Sequence, residues 1–181
     1  TGDLRSARVS TLHLDTLGGR IDGKGEGAWE PGLTWDAELT ADGIDPSKHW
    51  PDWPGRLGGR VASQGRVTAE GPDLGTQLED IKGELRGYAV AAAGKVLAVG
   101  ETVTIEALNA SSGPSKARVS GTVGERLDLA FAVDSPDLGN LLPDARGSIK
   151  ADGTVLGTTA APEVKLKLGA KGVQVAGQGV Q

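Results

Sequence analysis

Gly18, Gly23 and Lys24 carry the spacing of a phosphate-binding loop, in which backbone N–H groups cradle the phosphates and the lysine answers their charge. Gly25 stands where Ser or Thr would hold magnesium, and the residues after it read as strand, not as a helix whose N-terminus could receive phosphate. Gly23-Lys24-Gly25-Glu26-Gly27 fails as a dinucleotide fingerprint for want of the same strand-turn-helix setting. Both stretches read as Gly-rich turns between strands. His13 and His49, the only histidines, fall in different elements and read as surface residues. Neither sits in a Ser-His-Asp or Cys-His context, and a metal site would have to be built mostly from carboxylates. Asp134 with Asp137, and Asp42 with Asp45, could pair for acid-base work, but they flank connectors and read as helix caps. Without Cys or Met there is no disulfide, thiol nucleophile, zinc-thiolate site or soft-metal ligand. No catalytic residue, metal ligand or cofactor is assigned.

The elements available to position any site are short of aromatic bulk. Leu 20, Val 15, Ile 5 and Phe 1 in 181 residues suffice for a folded chain, but Phe and Tyr together number two. Gly reaches 29 without a collagen period. A net charge of −5 offers no basic surface to offset phosphate, which argues against nucleic acid as a partner. No run of 18 apolar residues could cross a bilayer as a helix. The chain opens Thr1-Gly2-Asp3 without Met, as a slice of a longer polypeptide would.

Four segments alternate apolar and polar residues at period two, the mark of a strand with one buried face: 33–39, 103–107, 127–133 and 164–168. The rest reads as strands of about five to eight residues joined by tight turns, roughly 12 to 14 in all. Short helices or loops are expected near 44–53 and 136–142. Residues 27–39 lie over 121–133 at an offset of 94, and Val61 to Gly65 lie over Ile149 to Gly153 at an offset of 88. Two approximate units, 1–75 and 76–181, are therefore expected as one fragment of a longer repetitive β array.

A sheet with all its apolar residues on one face must cover that face. Small side chains favour a long sheet curled into a trough over a sandwich or barrel, giving an all-β, elongated antiparallel or mixed sheet with a hydrophobic inner face. The expected lining is Leu12, Leu14, Leu33, Trp35, Leu39, Val103, Ile105, Val119, Val123, Leu127, Leu129, Phe131 and Val133. Trp50 and Trp53, in a Pro-rich connector, either cap the rim or anchor the loop. An apolar trough calls for something apolar inside it.

The segments Leu85 to Tyr88, Gly100 to Ala110, Val119 to Gly124, Leu127 to Leu138, Pro143 to Gly147 and Gly157 to Pro162 resemble the C-terminal region of the TamB family, which is AsmA-like. Trp29 to Gly59 looks like the preceding unit of the same array. The resemblance implies a curled β-taco sheet in a periplasmic protein anchored in the inner membrane of a diderm bacterium. It further implies phospholipid passage between the two membranes, and assembly of autotransporters and other outer-membrane proteins with TamA. It brings no catalytic residues. Three functions stay open at this point: a segment conducting phospholipid acyl chains, a scaffold offering its strand edges or groove to unfolded outer-membrane proteins, and a passive spacer with a filled core.

Overall fold

The computed structural model describes residues 5–175. Eleven strands follow one another as β1 (Ser6–Thr16), β2 (Gly19–Ala28), β3 (Thr34–Ile44), β4 (Gly55–Thr68), β5 (Gly71–Leu85), β6 (Tyr88–Val99), β7 (Thr102–Ser112), β8 (Ser115–Val123), β9 (Arg126–Ser135), β10 (Ala145–Thr158) and β11 (Ala161–Val175). Each pairs antiparallel with its sequence neighbours, in spatial order β1 to β11. The result is one open sheet, curled into a trough and not closed into a barrel. Among the described residues no second layer packs on it. Among the described residues only Ala98, Leu138, Ala145 and Ala151 are buried apolar residues.

The strands run 9 to 15 residues, longer than the sequence pattern suggests. The difference has a cause. Gly59, Gly94 and Gly121 look like turn signals but lie inside strands, opposite one-residue bulges. In β3, β5, β7 and β11 the extra residue falls at Gly43, Asp80, Ala107 and Gly172, with φ of 70°, 49°, 57° and 58°. β1 carries a further register shift between Val9 and Leu12. A bulge bends its strand and sharpens the local twist, so a line of bulges across neighbouring strands folds the sheet along its length. Hairpin turns follow the same handedness. Leu17-Gly18 and Arg86-Gly87 both take positive φ at the two central positions, as a type I′ turn requires.

The two expected helical stretches are single 3-10 turns, Pro46–Lys48 after β3 and Leu138–Asn140 after β9. Asp45 and Asp137 cap them, accepting from the Ser47 and Gly139 N–H groups. Asp134 and Asp42 do not: Asp134 pairs with Lys150 at 3.1 Å, and Asp42 lies in β3 opposite Arg20. Six strands thus separate two equivalent connectors, and the 94-residue offset lays β3 on β9.

Leu138–Asn140 packs against β10, beside the two side chains that are fully buried among the described residues. Ser115 and Ser135 are completely buried and share a 2.8 Å hydrogen bond between their hydroxyls, while the Ser112 hydroxyl donates to the Asn140 carbonyl at 2.7 Å. Ser135→Ala should cost about 1–3 kcal/mol, because the Ser115 hydroxyl loses its good partner without regaining water. The double variant Ser115→Ala/Ser135→Ala should cost less than the two single changes together, read from urea unfolding as a double-mutant cycle. Additive costs would count against the pair.

Candidate functional site

Residues directly opposite in an antiparallel ladder share a face, so the register assigns every side chain. One row crosses all eleven strands: Leu12, Gly23, Leu39, Val61, Leu78, Gly94, Leu108, Val119, Phe131, Gly153 and Leu166. At ~4.8 Å between strands it extends about 48 Å. A flanking row holds Trp35, Leu74, Ala98, Val103, Val123 and Leu127, and another holds Val96, Ile105, Gly121, Leu129 and Val155. Val133 stands one row farther on, across from Ala117 and Ala151, and Leu14 stands opposite Ile21. Leu33 falls in the turn before β3, where its carbonyl accepts from the Val67 N–H at 2.8 Å.

None of these large apolar side chains is fully buried. Leu12, Leu14, Leu33 and Leu39 are exposed by 37–49%, and Val164, Leu166 and Leu168 by 50–60%. Sequence alternation misses part of the same face, namely Leu57, Val61, Leu74, Leu78, Val96 and Leu108. The signal for some of them is a broken period: Leu78 to Ile81 and Ile105 to Leu108 are three apart because a bulge lies between.

Glycine shapes the floor. The Trp35 indole lies across its strand partner Gly65, where an added Cβ would stand 2.6 Å from Cζ2, and its Nε1 donates to the Ser63 hydroxyl at 3.1 Å. Phe131 lies across Gly153 in the same way, with 2.9 Å to Cζ. Large rings therefore lie flat, and the lining stays low and even.

The other face is ionic. Among the described residues eight acid-base pairs, including Arg8–Glu26, Lys24–Glu38, Arg66–Asp73 and Lys95–Glu106, join residues directly across the ladder. All are solvent-exposed and contribute little stability each. They do sort the faces, since a one-residue slip would put each pair over apolar neighbours. His13 is one of them, paired with Asp22. The Gly18 to Gly25 stretch is the β1–β2 hairpin turn and β2 itself, with no helix N-terminus to hold phosphate. Among the described residues no cluster of three His, Asp or Glu could hold a metal ion.

Trp50 and Trp53 lie in the connector between β3 and β4. The Arg86 guanidinium stands 5.3 Å from the Trp53 ring centre and fixes it, whereas Trp50 is 59% exposed with His49 edge-on at 4.8 Å. Asp45 organises this loop. Its carboxyl is held below the usual aspartate range by the Ser47 hydroxyl first, then by the Ser47 and Gly55 N–H groups, which lie 3.0 and 3.1 Å away. A depressed folded-state pKa gives stability above the unfolded value of 3.8 that is lost as pH falls through the folded one. Trp fluorescence should therefore report loosening of the connector on acidification below that range, and Asp45→Ala should show the loosened signal at neutral pH. An unchanged signal in that variant would remove Asp45 from this role.

The described residues contain no helix long and apolar enough to cross a membrane, which leaves membrane-crossing β-barrels untouched. No solved structure matches the chain. A curated relative, the translocation and assembly module subunit TamB of Haemophilus influenzae, is 24% identical over 177 residues, covering 97% of this chain. The chain spans about 14% of that relative's length. The family model described as "TamB, N-terminal domain" matches residues 1–180. That description corrects the region implied by the sequence resemblance, which was the C-terminal one. With one family model covering nearly every residue, the chain belongs to the TamB family.

Proposed function

We propose that the trough holds phospholipid acyl chains and passes them along its length between the inner and outer membranes. It does so as a non-enzymatic periplasmic segment of a longer protein anchored in the inner membrane. One observation carries the reading: a continuous apolar face of eleven strands that no second layer covers among the described residues. Each enclosed methylene contributes about 0.8 kcal/mol, so a partly covered acyl chain prefers this face to water. The rows repeat similar apolar sites from strand to strand, which lets a chain shift without meeting one deep well. The same long protein would act in translocation and assembly, the roles named for its relative, and the sequence resemblance adds TamA as the outer-membrane partner in building autotransporters.

The test places photo-crosslinking residues at Leu129 and Trp35, and separately at Asp128 and Asp36, in the full-length protein in cells carrying labelled phospholipid. Adducts from the first pair alone are expected. Protein adducts at the first pair would instead favour a scaffold for unfolded outer-membrane proteins, and adducts from neither pair a spacer.

A further inference from the structure

The ionic face contains one place where its pairing lapses. From β5 to β10 runs a depression of about 670 Å³, and eleven of its sixteen lining residues belong by register to the two rows of the ionic face, while the other five, Ile81 and Val133 among them, are the residues between those rows along each strand. Its floor is made where β6 presents Ala91 and Ala93 and β9 presents Ala132, at positions that carry long charged side chains in other strands. Lys82, Lys116, Arg118 and Lys150 stand around it, so the concavity comes from the difference in side-chain height. Lys150 pairs with Asp134, which also lies across from Lys116, and Asp80 sits at the β5 end. Lys82, Lys116 and Arg118 make no ion pair among the described residues, unlike Arg8, Lys24, Arg60, Arg66 and Lys95 on β1 to β6. Four cations against Asp80 and Asp134 leave a local excess of positive charge on a chain whose net charge is −5.

We propose that this depression binds an acidic polypeptide segment lying across the strands. Charge complementarity selects the acidic partner. Shape selects a chain: six strands at ~4.8 Å give a track about 24 Å long, the reach of roughly seven extended residues, and the alanine floor admits a backbone that a flat bilayer surface would not bring into it. The site is on the opposite face from the trough, so it stands or falls independently of lipid carriage.

The probe is a fluorescein-labelled ten-residue peptide alternating Glu and Ala, followed by anisotropy on the whole chain. Binding is expected to weaken about tenfold in the triple variant Lys82→Glu/Lys116→Glu/Arg118→Glu, since three partly exposed pairs of modest worth are reversed. Ala132→Leu, which fills the floor without changing charge, should weaken it several-fold. Reversal of Lys165, Lys167 and Lys171 on β11 should leave it nearly unchanged, and circular dichroism would verify that each variant keeps its sheet. An equal loss from the β11 reversals would mean bulk charge attraction and overturn the site. So would absence of peptide binding, or binding of vesicles of phosphatidylglycerol through the same three cations with none of the peptide.

Discussion

On the proposed passage of lipid along the trough, Leu129→Arg is expected to reduce transfer of labelled phospholipid to the outer membrane by at least about tenfold, while Asp128→Arg leaves it unchanged. Leu129 stands in a row between Gly121 and Val155, with Val123 and Val119 diagonal to it on β8, so an acyl chain carried as proposed would meet it in crossing β9. A guanidinium there would have to shed water each time a chain slid over it, at a cost of several kcal/mol. Asp128 projects from the other face, opposite Thr122 and Leu156. The fold should survive the Leu129 change, because among the described residues no layer covers the trough and a long arginine can carry its charge to water. Pulse-labelling with separation of the two membranes reads the result, and equal effects from the two substitutions would refute the face assignment.

Gly121→Val should be the most damaging single change to the sheet, destabilising it by about 3 kcal/mol or more. Gly121 adopts φ of 125° across from Ile105, at the edge of the β7 bulge, and an added Cβ would lie 1.9 Å from the Asp128 carbonyl oxygen. That atom is backbone in a paired strand and has no rotamer by which to move away. Gly87→Ala provides the contrast: φ is 81°, but nothing lies within 4 Å of the new Cβ, so only the backbone strain of about 1 kcal/mol remains. Urea midpoints by circular dichroism should separate the two variants widely. Similar midpoints would mean that the β7–β9 register is different from the one described.

Sequence pattern reached those strands whose alternation runs unbroken. β3 and β9 show it over 33–39 and 127–133, and their inward residues Trp35, Leu39, Leu129 and Phe131 follow from parity alone. β5 is harder to read because Asp80 inserts one residue and puts Leu78 and Ile81 on the same face at odd spacing. β7 was legible only up to Ile105, since Ala107 then reverses the phase and carries Leu108 inward. Glycines opposite these bulges mimic turn signals, which is why the strands looked shorter and more numerous than they are. The polar-face depression was invisible for a further reason: Ala91, Lys116 and Lys150 lie far apart in the chain and become neighbours only through register.

The extra residue recurs on β1, β3, β5 and β7, is missing from β9 and returns on β11, while none of the even-numbered strands carries one. A hairpin is therefore the smallest increment by which such a sheet can grow or shrink. Adding or losing one strand would reverse the chain direction and bring two bulged strands side by side. Adding or losing two leaves the crease continuous and both faces in phase, and changes the length by about 9.6 Å. The architecture is a ruler graduated in hairpins, so its length changes by duplication or deletion of about 30 residues at a time.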